Sequence, residues 1–170
     1  MKNLENGSRF IRIAKFQDLE KINLIYNKAI EKRATADLTS ISYEKRKEWF
    51  DSHDPFHYPV CVYEIDGGIA GWLSFSPYRK GRGALRKTAE ISYYVDESFF
   101  RMRVGTELVK FAIQTAPQFG FRILFAIVLE NNIGSIELLK KLGFTEWGFL
   151  PQVAEFNGEL FGHYYYGKSL

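Results

Sequence analysis

Arg101 and Arg103 stand in a basic aromatic stretch, Phe99-Phe-Arg-Met-Arg103, that leads straight into Val104-Gly-Thr-Glu-Leu108. From Val104 on, apolar residues recur at Val104, Leu108, Phe111, Ala112 and Ala116, which is the stripe of an amphipathic helix. Before the stretch, Ile91, Tyr93 and Val95 alternate with Glu90, Ser92 and Tyr94, the period of a strand with two different faces. A strand, a short basic loop and a helix start in that order aim unpaired backbone N–H groups past the strand's end. The helix dipole adds positive potential at the same spot, so the mouth suits an anion. With two arginines in it, the first chemistry predicted is the binding of a phosphate-bearing ligand.

Other patterns in the chain suggest chemistry and fail on context. Gly162-His-Tyr-Tyr-Tyr-Gly-Lys168-Ser169 matches a phosphate-binding P-loop letter for letter. That loop requires a following helix, and bulky tyrosines read as a strand instead. His53 and His57 have a spacing that could share a metal, but Pro55 argues against a helix between them and no third ligand is evident, so no metal is expected. A Gly-x-Ser-x-Gly elbow is missing, and Gly81-Arg-Gly83 lacks the third glycine of a dinucleotide site.

Composition narrows the class. A chain of 170 residues, 46% hydrophobic, is the size of one globular domain over 1–170. A net charge of +3 is too small for a dedicated nucleic-acid binder and fits a small anionic ligand. The lone cysteine, Cys61, allows no internal disulfide, so a reducing, cytoplasmic setting is expected. Residues 1–8 are polar with no secretory signal, and no apolar run approaches membrane-spanning length.

The elements that must position the mouth follow from period and turn chemistry. Strands are predicted over 10–14, 60–65, 69–75, 88–95, 121–129, 146–156 and 160–166. Helices are predicted over 17–32, from the N-cap Ser42 to Phe50, from Val104, and over 131–142 with Gly143 as its left-handed stop. Asp66-Gly67-Gly68 and Asn157-Gly158 read as hairpin turns. Strand, helix and strand across 88–129 make a parallel crossover inside an otherwise antiparallel run, an α+β layout around a mixed sheet.

This order and its local motifs resemble the GNAT superfamily of N-acetyltransferases, and within it the phosphinothricin acetyltransferase group. The likeness runs from Ile11 to Tyr166. It rests on Ile25-Tyr26-Asn27, on Gly71-Trp-Leu-Ser-Phe-Ser-Pro-Tyr-Arg79, on Thr88-Ala-Glu90 with Tyr94-Val95, and on Glu130-Asn131 with Ser135-Ile136 and Leu142-Gly143-Phe144. The resemblance implies a GNAT-like fold and acetyl transfer from acetyl-CoA to the primary amine of a small molecule, an amino acid or a phosphinothricin-like analogue. It implies direct transfer in a ternary complex, and it suggests a homodimer. It also implies that the central strand splays from its parallel neighbour to admit the pantetheine arm. Tyr94 and Val95 would meet that arm, the N–H groups of Arg101, Met102, Arg103, Val104, Gly105 and Thr106 the diphosphate, and Asn131 the pantetheine or acetyl end. Glu90 matches the group's central-strand glutamate and is the candidate base. The Val95 N–H is the family's usual oxyanion donor. An acceptor carboxylate would fall to Arg79 or Arg86 beside Tyr78, with Tyr26 and Thr35 walling the pocket.

Two departures stand out. Of the family's loop pattern, Gln/Arg-x-x-Gly-x-Gly/Ala, only Gly105 remains, with Phe100 and Arg103 at the other positions. A side chain forced to positive φ there costs roughly 1–2 kcal/mol. At Leu139 the family usually carries a tyrosine or histidine thought to protonate the leaving thiolate, which leucine cannot do. These departures motivate the rival expectation of a non-catalytic acyl-CoA-binding domain; a protein or peptide acetyltransferase is the other.

Overall fold

The computed structural model describes residues 8–170; the polar start read as lacking a secretory signal lies almost wholly outside them. Seven strands form one mixed sheet in the order β1-β2-β3-β4-β5-β7-β6. The strands are β1 (Arg9–Ile13), β2 (Val60–Ile65), β3 (Gly68–Pro77), β4 (Thr88–Val95), β5 (Ile123–Leu129), β6 (Thr145–Phe156) and β7 (Glu159–Ser169). The helices are α1 (Leu19–Glu31), α2 (Tyr43–Asp51), α3 (Val104–Thr115) and α4 (Ile133–Lys141). Every predicted strand and helix is present, and β4 with β5 is the parallel pair.

Turn chemistry works as predicted. Asp66 and Gly67 carry φ of 51° and 80°, and Asn157 and Gly158 carry 54° and 85°, the double positive φ of hairpin turns that match strand twist. Ser42 caps α2 by accepting from the Lys45 N–H at 3.3 Å, and Gly143 ends α4 at φ 80°. The P-loop look-alike lies within β7, where Tyr164, Tyr165 and Tyr166 pair with β5 on one side and β6 on the other.

Strand alternation divides the core in two. Leu73, Phe75, Ile91, Leu108, Leu124 and Tyr166 pack between the sheet and α3 and α4. Val60, Val62 and Trp72 point the other way and meet Ile22 and Ile25 of α1. Glu90, Ser92 and Tyr94 therefore share the α1/α2 side, while Ile91, Tyr93 and Val95 share the α3/α4 side. No helix among the described residues is long and apolar enough to cross a membrane.

Candidate active site

The parallel pair is joined only at its start. β4 and β5 pair at Thr88–Ile123, Ala89–Leu124 and Glu90–Phe125, and then part. Each strand keeps its other neighbour: β4 stays on β3 as far as Val95–Gly71, and β5 stays on β7 as far as Leu129–His163. The separation thus leaves a slot and not a frayed end. Its inner edge can be read from one bond. The Asp96 N–H donates to the Ala70 carbonyl across β3 at 2.9 Å. N–H groups alternate edges along a strand, so Tyr93 and Val95 turn theirs toward the slot.

A cavity of about 50 Å³ sits in this slot, bordered by Ser92, Tyr93, Ala126, Val128, Asn132 and Ser135. It adjoins a cavity of about 550 Å³ between α1, the start of α3 and the start of α4, and the two share Ala34, Tyr93, Tyr94, Asn132 and Ser135. Arg101, Arg103, Val104, Gly105 and Thr106 line the larger one with Tyr94 and Val95. Met102 is exposed and does not line it. Lys28 of α1 and Lys32 just past its end lie on the opposite wall, paired with Glu31 and Glu97; as lysines four residues apart, they gave no sign of this in the sequence.

Arg101 and Arg103 both take the left-handed conformation, at φ 65° and 64°. Arg103 is the N-cap of α3, with no side-chain cap bond, and the first bond back to it is Glu107 N–H to the Arg103 carbonyl at 3.0 Å. The N–H groups of Val104, Gly105 and Thr106 therefore face the cavity end of the helix without an intrahelical partner. The backbone folds as a glycine loop would, and carries two guanidinium groups where glycine would carry none. Gly105 is favoured by closeness, not by φ: a Cβ there would lie 3.1 Å from Leu138 Cδ1, which would have to give by a few tenths of an ångström.

Tyr93 supplies a buried hydroxyl on this side, with Ser135 beside it but not in hydrogen-bond geometry. Its oxygen is buried with no hydrogen-bond partner among the described residues. Burial pushes the phenol up to about 12, with Ser135 the one nearby group opposing that shift. Leu139 is fully buried in the core. Asn131 is exposed and donates its amide to the Arg33 carbonyl at 3.1 Å. The next residue, Asn132, reaches the slot and caps α4 by accepting from the Ser135 N–H at 3.3 Å.

The other face of β4 carries the acid. Cross-strand pairs Glu90–Ser76, Ser92–Ser74 and Tyr94–Trp72 form a polar-to-aromatic ladder. Burial alone raises the Glu90 carboxyl above its ordinary range. Beside the ladder is a cavity of about 280 Å³, walled by Tyr26, Asp37, Arg46 and Trp49 and floored by Ser74, Ser76 and Ser92. The Tyr26 hydroxyl donates to Asp37 Oδ2 at 2.5 Å and lies 3.1 Å from Thr35 Oγ1, so Thr35 stands behind Tyr26 and not in the cavity wall. Tyr78 packs on Phe125, ring centres 4.7 Å apart, with the Arg79 guanidinium 5.8 Å from the Tyr78 ring centre. Since Phe125 pairs with Glu90, Tyr78 reaches the acid's neighbourhood, while Arg79 stays exposed against the outer side of Tyr78. Arg86 is also exposed and folds back onto the Gly83 carbonyl at 3.1 Å. His53 is bound through Nδ1 to the Trp49 carbonyl at 2.7 Å, while His57 stacks against Tyr58 and Phe121.

A parted parallel pair above an anion-attracting helix start, with an acid on the facing side, defines the acyl-CoA acyltransferase class of fold. The pattern of the Acetyltransferase (GNAT) family matches residues 20–144. YwnH of Bacillus subtilis (strain 168), whose name proposes a phosphinothricin acetyltransferase, is 37% identical over 161 residues, which is 94% of this chain and 98% of the relative. An L-methionine sulfoximine/L-methionine sulfone acetyltransferase of Pseudomonas paraeruginosa is 32% identical across 92% of this chain and 90% of its own. The structure of yncA from Salmonella typhimurium, with its cofactor acetyl-CoA, superposes with a TM-score of 0.88 at 29% identity over 95% of this chain and 94% of that one. The chain belongs to the GNAT acetyltransferase family and is an acetyltransferase.

Proposed function

We propose that the protein transfers the acetyl group of acetyl-CoA directly to the primary amine of a small amino acid or phosphinothricin-like analogue, in a ternary complex. The observation that carries this reading is the slot between β4 and β5, which begins just past the last pair, Glu90–Phe125, and meets the cavity at the α3 start. The residues fit the cofactor. The N–H groups at Val104 to Thr106, with Arg101 and Arg103, suit a diphosphate, each such bond being worth roughly 1.5–3 kcal/mol. In the slot, the Val95 N–H is turned to meet an oxyanion. Small-molecule relatives such as the methionine sulfone enzyme support the acceptor class.

The amine attacks in its neutral form, because an ammonium has no lone pair, and Glu90 is the base for the proton that the attacking nitrogen then sheds. As the new N–C bond forms and the C–S bond breaks, the proton passes from nitrogen to Glu90 and the electron pair leaves with sulfur. Tyr93 donates a hydrogen bond to the departing thiolate, a part that Leu139 cannot play. An acyl-enzyme route has no support: Cys61 is buried in β2 and burial pushes its thiol up to about 12. The same reading includes a cytoplasmic protein and a homodimer. For the dimer, β6 is one of the sheet's two edges and exposes Trp147, Phe149, Leu150 and Val153.

The direct test follows free thiol while acetyl-CoA is mixed with a panel of amino acids. Turnover with intersecting double-reciprocal lines is expected. Binding of CoA with no turnover on any amine would instead make the chain an acyl-CoA-binding module. Tyr93→Phe is expected to cut kcat roughly tenfold or more, because a bond to a charged sulfur is lost. Its melting temperature should hold or rise, since an unpartnered buried hydroxyl is removed; an unchanged kcat would end the role given to Tyr93.

Arg103→Gly separates backbone from charge. Relief of the left-handed arginine should raise Tm by about 2–4 °C. Loss of the guanidinium should weaken CoA binding roughly tenfold or more in a calorimetric titration. Unchanged or tighter CoA binding would show that the arginine does not serve the anion.

A further inference from the structure

Arg46 is the least expected charge in the molecule. It lies in Tyr43-Glu-Lys-Arg-Lys-Glu-Trp49, a helix that is otherwise almost wholly solvent-exposed, yet Arg46 itself is only 4% exposed. Its guanidinium is enclosed by rings, with its carbon 4.2 Å from the Tyr26 ring centre, 4.7 Å from Trp49 and 5.8 Å from Trp72. Its Nε donates to Asn23 Oδ1 at 3.2 Å, and the Tyr26 hydroxyl lies close enough to favour its charged form without a well-formed hydrogen bond. It has no ion-pair partner among the described residues; Asp37 acts on it only through space. Asp37 is itself held by the Tyr26 hydroxyl.

A buried cation with no counter-ion is costly, and guanidinium does not escape the cost by losing its proton. Aromatic faces recover part of it. They do not use the terminal NH₂ groups, which keep their donors. Those donors border the 280 Å³ cavity, together with Lys45 and the hydroxyls of Ser74, Ser76 and Ser92. Two cations and three hydroxyls against one engaged carboxylate make a pocket suited to a small anion. A planar fork of donors matches a carboxylate bidentately.

The position fits the chemistry as well. Ser76, in the cavity floor, pairs with Glu90, and Tyr94 belongs to both this cavity and the larger one. A molecule held by its acid group at Arg46 therefore lies with its remaining groups along the Ser74–Ser76–Ser92 floor, next to the proposed base and the slot.

We propose that Arg46 is the carboxylate receptor of the acceptor site, and that it sets the preference for α-amino acids over plain amines. This rests on the acetyl-transfer reading of the same site, and it moves the acid-binding role away from Arg79 and Arg86. Arg46 binds and orients the substrate; it takes no proton from it.

The test compares L-methionine sulfone with 3-(methylsulfonyl)propylamine, the same amine without its carboxylate. Wild-type protein should favour the acid, and Arg46→Gln should raise KM for the acid roughly 10- to 100-fold, with much less change in kcat or in either constant for the plain amine. Arg46→Lys keeps the charge and loses the fork, so it should fall between the two. It also serves as the folded variant if Arg46→Gln does not fold. A second readout needs no turnover: Trp49 and Trp72 adjoin the guanidinium, so their emission should respond to L-methionine sulfone in wild type, respond only at higher concentration in Arg46→Lys, and lose that response in Arg46→Gln. Equal losses on both amines, or no preference in wild type, would overturn the proposal. A fluorescence response without acetyl transfer would keep the anion site and sink the enzyme reading instead.

Discussion

Glutamine at position 90 is expected to lower kcat/KM roughly 10²- to 10⁴-fold, the usual range for removing a positioned general base. The shape of the pH profile should change with it. Burial raises the Glu90 carboxyl, so the wild-type acidic limb should lie above the ordinary carboxylate range. Below that limb the base is protonated and inactive. Glu90→Gln has no such group, so its limb should disappear and the remaining slope should belong to the amine. Stability moves the other way. A carboxyl whose folded pKa is raised burdens the fold only when ionised: the cost is absent at pH below the unfolded value, near ~4.3, and grows as pH rises through the folded one. At neutral pH the glutamine variant should therefore melt no lower than wild type. A slow enzyme that keeps the wild-type acidic limb would remove Glu90 from the chemistry.

The second large effect is expected from Gly71→Ala. A Cβ at Gly71 would stand 2.8 Å from the Tyr94 carbonyl oxygen, 2.9 Å from Val104 Cγ1 and 3.2 Å from Leu108 Cδ1. The first of these is backbone of β4 and cannot rotate away. The second belongs to the first residue of α3. Gly71 is thus the point at which β3 lets the end of β4 and the head of α3 come together. Overpacking of this kind costs typically about 1–3 kcal/mol, or about 3–10 °C in Tm for a chain this long. The damage should be directed as well as global. Because the displaced groups adjoin Val95 and the helix start, CoA affinity should fall even at temperatures where the variant remains folded. Thermal melts and calorimetric CoA titrations on the same samples check both parts; a wild-type affinity in a destabilised variant would detach Gly71 from the site.

Much of this was legible from residue order alone. Alternation at Glu90 to Val95 specifies which residues share a face, and β4 obeys it. The pairs Asp66-Gly67 and Asn157-Gly158 specify their hairpins because few residues accept positive φ. Arg101 and Arg103 before an apolar stripe specify a basic helix start, and the strain expected of a non-glycine loop is present at both. These are properties of neighbours along the chain, within a turn or two of backbone.

Other features were settled only when distant segments met. Asn131 and Asn132 are indistinguishable as letters; the turn into α4 sends the first to Arg33 and the second to the slot. Arg79 and Arg86 share one basic loop and both stay exposed; the first lies against Tyr78 and the second folds back onto Gly83. Tyr93 reads as one apolar-face residue among several, until the parting of β4 from β5 leaves its hydroxyl without a partner. Arg46 reads as a solvated charge in a charged helix, and becomes a buried cation because Asn23, Tyr26 and Trp72 close over it from α1 and β3. Local pattern governs which way a side chain leaves the backbone. Burial, pairing and the shape of a cavity depend on what the rest of the chain places opposite, and that is decided by tertiary packing.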